Sequence, residues 1–552
     1  MSTDAPPVSL EDAQALLAAS EAALDPALDR AREITQGGRA IDDHQVLTER
    51  VAYAATEALA AREVLELCRR AAQEGRCSPL LEQSAVAAVA DLAASLRNRL
   101  DPCLEELGLP ASHLAEAFPA AVHSLLRRCG SEALLRAIGR AACESRGRLE
   151  PPQDEMLEQV REAVREFAEN EVAPHAERIH REDADVPEEL IAKMGELGYF
   201  GLSIPEAYGG HEMGHLAMIL TTEELSRASL AAGGSLITRP EILAKALLQG
   251  GTEEQKKDWL PRLASGEVMV GVSVTEPDIG SDVAGVKCRA TPGERDGEAG
   301  WLLSGPKAWC TFAGRADVLA LLARTDPDPA QGARGLSLFI VPKQRFPGHA
   351  FEMKQASGGR MVGKADATPG YRGMHSFTLN LEDYFVPASH LVGGEKGLGR
   401  GFYLQMGGFT AGRLQTGGRA CGVAEAALEE TARYVVDRAQ FGRPIAEFQL
   451  TQYTLGRMAA RLLQARALTY AAAAAMDEDE RAAAPRAAQA KLLACDIAVE
   501  VSQQGQLMHG GWGYAEEYPI SRYVVDAQVL PIFEGVKPIL ELKVIGRALL
   551  AG

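Results

Sequence analysis

Residues 529–540 read VLPIFEGVKPIL, which sets one carboxylate, Glu534, between Ile532 and Phe533 on one side and Gly535 and Val536 on the other. The commonplace reading is a solvent-facing glutamate at a helix start. The chemical reading is a base, because an apolar wall against an ionised carboxylate raises its pKa towards the range where it can take a weakly acidic proton. A second stretch, VTEPDIGSDVAG (274–285), gathers hydroxyls, small residues and acids. Its backbone N–H groups and the hydroxyls of Thr275 and Ser281 suit a polar ligand, although Pro277, Asp278 and Gly280 also make an ordinary surface turn. A third, KAWCTFAG (307–314), alternates Trp309 and Thr311 with Cys310 along one strand. A planar aromatic beside a hydroxyl can hold a ring system by stacking plus one hydrogen bond; a core tryptophan is the alternative.

The elements that must position these residues follow from the chain's texture. Residues 1–150 are rich in Ala, Leu, Glu and Arg, and stretches such as HQVLTERVAYAATEALAAREVLELCRR carry helical periodicity. Four to six helices are expected there, broken near Pro26 and at Pro79, Pro102, Pro110 and Pro119. His44, His113 and His123 read as surface or packing residues. RGRLEPPQDE is a linker, since Pro151 and Pro152 cannot continue a helix. Residues 151–271 are helical again, with Thr252 and Gln255 forming a capping box. Residues 272–393 break into short β-type runs separated by Gly, Pro and Asp, and residues 394–552 return to long helices. The fold class is α+β with segregated layers, and the lack of alternating strand–helix units disfavours a doubly wound nucleotide fold.

Whole-chain properties set bounds. A length of 552 residues implies roughly three or four domains. No run reaches the roughly 20 apolar residues of a membrane span, and the start MSTDAPPVSLEDA is no signal peptide, so a cytoplasmic protein is expected. A net charge of −19 argues against nucleic acid and anionic membrane as partners. Nine cysteines, scattered without a CxxC pair or a ligand-like His cluster, imply reduced thiols and no metal site.

Taken with the stretches above, GYFGLSIPEAYGG (198–210), RAQFGRPIAEFQ (438–449) and HGGWGYAEEYP (509–519) make residues 154–552 closely resemble the acyl-CoA dehydrogenase family of FAD flavoproteins. The resemblance implies a helical domain, a central β domain and a C-terminal four-helix bundle, here preceded by an extra all-α domain. It implies that Thr275 and Ser281 contact the flavin, that Ser281 also meets substrate, and that Trp309 lies against the isoalloxazine with Thr311 near N5. Arg438, Gln440 and Phe441 of a neighbouring subunit would reach the adenosine diphosphate, which Gly510 and Gly511 let the backbone approach. Glu534 falls on the family's usual catalytic base, implying α-proton abstraction from an acyl-CoA and β-hydride transfer to flavin N5, with a backbone N–H at Glu534 and a flavin ribityl hydroxyl polarising the thioester and Gly535 meeting the substrate. An electron-transferring flavoprotein is the implied electron acceptor.

Two positions depart from the family pattern: Leu507 stands where a glutamine is common, with Gln506 one step earlier, and Val536 stands where a threonine is usual. By spacing back from GTEEQK, Thr238 and Arg239 fall near the closed end of the acyl pocket. Arg239 either makes a surface ion pair or binds a free carboxylate on the acyl group, which would reject plain fatty acyl chains. The acyl group is then a branched dicarboxylic one, with a glutaryl-type or a short branched substrate, or an oxidase, as alternatives. A DNA-binding relative of the same fold would need a basic groove that this acidic chain lacks. The extension of roughly 150 residues is expected to cover helical surface that the family buries between pairs of dimers, leaving a homodimer.

Overall fold

The computed structural model describes residues 8–551. Its helices are α1 (Leu10–Ile34), α2 (Gln45–Gln73), α3 (Pro79–Leu100), α4 (His113–Ala117), α5 (Ala120–Cys129), α6 (Glu132–Glu144), α7 (Glu155–Phe167), α8 (Ala173–Glu182), α9 (Glu188–Glu196), α10 (Gly214–Ala228), α11 (Ser235–Gly250) and α12 (Glu253–Ala264). After the strands come α13 (Gly401–Asp437), α14 (Gln449–Glu478), α15 (Glu480–His509), α16 (Ile520–Ala527) and a helical run over 537–550. Among the described residues no helix is long and apolar enough to cross a membrane. The chain forms two compact units, Met1–Glu162 with Thr416–Gly552, and Ala163–Gln415.

In the first unit the N-terminal helices pack on the C-terminal ones. Pro26 does not break a helix as expected but lies inside α1. Buried Ala23, Leu24, Ala27 and Ala31 hold the helix on both sides of it, and the carbonyl that loses its amide partner belongs to exposed Ala22. Pro79 instead starts α3, where the Ser78 hydroxyl accepts from Leu81 N at 3.1 Å. Helices α6 and α14 touch backbone to backbone through small residues. A Cβ on Gly139 would sit 1.8 Å from the Gln452 carbonyl oxygen, and one on Gly456 1.9 Å from that of Leu135. Nearby, Gln464 Nε2 on α14 donates to Ala88 O and Asp91 Oδ2 on α3, both at 3.0 Å.

The second unit holds the sheet. Its strands are β1 (Val270–Ser273), β2 (Arg289–Arg295), β3 (Glu298–Thr311), β4 (Val318–Arg324), β5 (Leu336–Pro342), β6 (Ala350–Lys354), β7 (Arg360–Ala365) and β8 (Ser376–Pro387). They run in the order β1-β4-β2-β3-β8-β7-β6, with β5 on β4, and only the β1–β4 and β2–β4 pairings are parallel. Strand β4 (VLALLAR) is apolar on both faces because each meets a core. Leu319 and Leu321 join Leu303, Phe339 and Phe377, while Val318 and Ala320 meet Leu247, Trp259 and Leu260 of α11 and α12. The expected capping box is present: Thr252 Oγ1 accepts from Gln255 N at 3.2 Å and Gln255 Oε1 from Thr252 N at 3.1 Å. Gln255 Nε2 also donates to Ser389 O and Leu391 O, tying α12 to the exit of β8.

The glycine contact gives a prediction. Gly139→Ala should gain about 1 kcal/mol of helix propensity but lose about 3 kcal/mol to overpacking. A net fall in stability is expected by chemical denaturation, and a rise would refute the close crossing.

Candidate functional site

The loop 274–285 leaves β1 and is fixed to β3 by a buried ion pair. Lys307 has no exposed surface; its Nζ donates to Glu276 Oε1 and to the Val274 carbonyl, both at 3.0 Å. The same carboxylate accepts from Lys287 N (2.9 Å) and Cys288 N (2.8 Å), so it is fully satisfied. Ala308 N donates to Thr275 O at 2.8 Å. Thr275 is thereby held half-buried at the root of the loop, while Ser281 stands exposed on its rim.

Strand β3 bulges against β8 between Lys307 and Cys310. In the bulge Trp309 adopts φ +56°, a costly conformation for a bulky residue. Cys310 is buried and Thr311 half-buried, as the expected alternation requires. Trp309 is 58% exposed, so the core-tryptophan alternative is wrong: the ring is displayed, not packed. Thr311 Oγ1 lies 3.2 Å from Ser376 Oγ on β8. Lys307, Glu276 and Ser376 were not singled out from sequence.

In the same unit, Thr238 and Arg239 lie in α11 and both are buried, so the surface-ion-pair reading of Arg239 fails. The Thr238 hydroxyl donates to Gln415 Oε1 on α13, and Gln415 Nε2 lies 3.1 Å from Met218 Sδ. Arg239 Nε donates to Ser235 O at 3.2 Å. Among the described residues no carboxylate lies within ion-pair distance of Arg239.

Glu534 belongs to the first unit, on a tight turn between α16 and residue 537. It has φ +53° and the following Gly535 φ +100°, so two successive left-handed residues aim the turn. Lys537 N donates to Pro531 O at 3.0 Å and Lys491 Nζ to Gly535 O at 2.5 Å. The Gly535 N–H makes no hydrogen bond among the described residues. Glu534 is half-buried with its Oε2 shielded from solvent. The apolar wall is thinner than its neighbours suggested, because Ile532 is 60% exposed and Phe533 lies under the Arg419 guanidinium, 4.7 Å from its ring centre. Lys537 Nζ pairs with Asp496 Oδ2 at 2.6 Å, and the same oxygen accepts from Tyr53 of α2 at 2.6 Å. Beside them burial pushes the Glu541 carboxyl up to about 7, despite Lys537 Nζ at 3.9 Å.

Also in the first unit, a cavity of about 560 Å³ is lined by Arg438, Gln440, Leu507, Gly510, Gly511 and Trp512. Gly510 (φ +60°) and Gly511 offer open backbone: a Cβ on either would meet nothing within 4 Å. Phe441 stands beside this cavity's hairpin, 94% exposed with φ +53°. Leu507 is 72% exposed on the wall, and Gln506 does not replace it, since its Nε2 donates to Gly513 O at 3.0 Å. Separately, Asp183, His349 and His375 converge in the second unit. Their sequence separation hid this cluster, contrary to the expectation of no ligand-like grouping.

The fold and these sites define a class. Three family models match in succession: the acyl-CoA dehydrogenase N-terminal domain over residues 154–267, the middle domain over 271–384 and the C-terminal domain over 399–550. The chain belongs to the acyl-CoA dehydrogenase family and is an oxidoreductase acting on CH–CH donors. Along 98% of its length, extension included, it is 35% identical to the (2S)-methylsuccinyl-CoA dehydrogenase of Cereibacter sphaeroides, 97% of which is covered. Butyryl-CoA dehydrogenase of Megasphaera elsdenii superposes with a TM-score of 0.66 at 30% identity, over 73% of this chain and 100% of that one. A glutaryl-CoA dehydrogenase of Mycobacterium smegmatis, solved in complex with FADH2, gives a TM-score of 0.62 at 27% identity over 72% and 95% of the two chains.

Lys307→Met should strand the Glu276 charge and cost about 3–5 kcal/mol. Adding Glu276→Gln, which removes the charge but keeps an acceptor, should recover part of it in denaturant melts. No recovery would mean that the pair is not what fixes the loop.

Proposed function

We propose that the chain oxidises a branched dicarboxylic acyl-CoA at its α and β carbons, with (2S)-methylsuccinyl-CoA to mesaconyl-CoA, a step of the ethylmalonyl-CoA pathway, as the reaction that fits best. The observation that carries this reading is Arg239, 3% exposed and without a carboxylate partner among the described residues. A buried guanidinium is costly unless an anion meets it, and a substrate's distal carboxylate supplies one. Thr238 beside it adds a polar end wall that a plain alkyl chain would not need. The 35% identity to a methylsuccinyl-CoA dehydrogenase over nearly the whole chain supports the same choice.

FAD suits the residues present. The open backbone at Gly510 and Gly511, with Arg438 and Gln440 on the same cavity, suits a diphosphate, and the displayed Trp309 suits a flat ring system. Thr275, Ser281, Trp309 and Thr311 would hold the flavin half; Arg438, Gln440, Phe441, Gly510 and Gly511 would hold the adenosine diphosphate half of a neighbouring subunit's cofactor. When bound, FAD supplies the acceptor for the β-hydride. Glu534 takes the α-proton on its carboxylate. The backbone N–H at Glu534 donates to the thioester oxygen as charge builds there, beside the Gly535 N–H, which has no acceptor among the described residues, and Arg239 orients the chain from its far end. An electron-transferring flavoprotein then collects the electrons.

Glu534→Gln, with FAD content unchanged, should bleach at least about 100-fold more slowly on mixing with substrate; bleaching at the parent rate would remove Glu534 as base. Arg239→Ala should lower kcat/KM by about 100-fold on methylsuccinyl- and glutaryl-CoA, and by less than about tenfold on butyryl-CoA. Equal losses would discredit the carboxylate pocket, and a parent preference for glutaryl-CoA would shift the substrate assignment. Because the extension covers α14 and α15, native mass is expected near two chains; a mass near four would refute the dimer.

A further inference from the structure

We infer a separate divalent-metal site, of zinc-like preference, formed by Asp183, His349 and His375. The two imidazole Nε2 atoms lie 3.2 Å apart, His375 Nε2 lies 3.1 Å from Asp183 Oδ1, and His349 Nε2 lies 3.7 Å from Asp183 Oδ2. A tetrahedral ion with bonds of about 2.0–2.1 Å spaces its ligands about 3.3 Å apart, so these edges outline one triangular face. Two imidazoles and one carboxylate are a borderline donor set that suits zinc over calcium or magnesium. His349 and Asp183 are half-exposed and give an ion access, while His375 is buried.

The surroundings are those of a supported ligand. His375 Nδ1 lies 3.4 Å from Asp185 Oδ1, the carboxylate–histidine arrangement that orients a ligating ring. His375 Nε2 thus faces both Asp183 Oδ1 and His349 Nε2, and His349 Nε2 also lies 3.1 Å from Asp183 O, so the two ring nitrogens and the carboxylate oxygen converge on one point. Two other cations are near but engaged. Arg372 Nε is 3.8 Å from Asp183 Oδ1 and donates to Thr368 O and, through its Nη1, to His180 O, while Arg315 pairs with Glu188. His375 holds a left-handed φ of +35°, strain of the kind that collects where side chains must be aimed, while Asp183 (φ +53°) ends α8 as its left-handed cap.

The three ligands come from the C-terminus of α8, the loop before β6 and the entry to β8. The ion would clamp these together. Phe312 N, one residue beyond Thr311, donates to Met374 O and His375 O, and Ser376 meets Thr311 directly, so the clamp borders the Thr311 side of the catalytic domain.

The test uses tag-free, full-length holoenzyme stripped with chelator and then titrated. One equivalent of Zn2+ should bind per chain in competition with a chromophoric chelator, with a rise in Tm. Co2+ should give the visible bands of a four-coordinate ion. His349→Gln, at a half-exposed position, should weaken both at least about tenfold while leaving the metal-free Tm unchanged; Asp183→Asn should do the same. Absence of stoichiometric binding, the result for a simple imidazolium–carboxylate network, would overturn the site. So would binding that neither variant weakens.

Discussion

The ammonium of Lys307, held in the protein interior, is the constraint from which the β domain takes its shape. Removing two charges from water costs several kcal/mol per ion, and such a pair survives only where further hydrogen bonds satisfy both members. Here they do: Glu276 accepts from the lysine and from two backbone amides, and the lysine also meets a backbone carbonyl. An apolar pair of equal volume would pack at least as well but would leave those amides and that carbonyl unsatisfied. The charges therefore serve position rather than net stability. They weld the loop carrying Thr275 and Ser281 to the strand that displays Trp309, and the strained φ of Trp309 can persist because its neighbours on both sides are fixed.

A comparable economy governs the helical unit. Residues of the extension and of the C-terminal helices meet through Gly139 and Gly456, where even a methyl group would collide with backbone. Such proximity lets the two helices bury their surfaces against each other. The contact continues in polar form: Tyr53 of the extension and Lys537, three residues after Glu534, share one carboxylate oxygen of Asp496. The extension is thus wired to the turn that carries Glu534, and the carboxyl of neighbouring Glu541, pushed up to about 7 by burial, belongs to the same network.

How much of this was legible in the sequence depends on the range of the interaction. Local signals read well: the Thr252–Gln255 box, the proline start of α3, the alternation of Trp309, Cys310 and Thr311, and the helical, helical, β, helical order are all set by neighbours within a few residues. Pro26 misled because propensity counts one lost hydrogen bond, whereas tertiary burial of Ala23, Leu24 and Ala27 outweighs it. The Lys307–Glu276 pair spans 31 residues and the Asp183–His349–His375 cluster 192, and neither distance leaves a periodic trace. Glu534 was visible as a carboxylate out of place. Its true environment was not, since the apolar Ile532 beside it turns outward and a buried arginine lies over Phe533.

Arg239 shows why a stability argument and a specificity argument can share one side chain. Its Nε is satisfied by the carbonyl one turn back, which anchors the guanidinium but supplies no counter-charge. A helix interior offers cheaper residues at every such position, so the folded chain alone gains nothing by placing a cation there. Under the proposed reading, an acyl group that brought its own carboxylate would change the balance: the desolvation already spent on the arginine would become affinity for that ligand and a penalty against any chain ending in a methyl group. A pocket of this kind selects by what it refuses to leave unpaired, and its selectivity grows with the depth at which the charge is held.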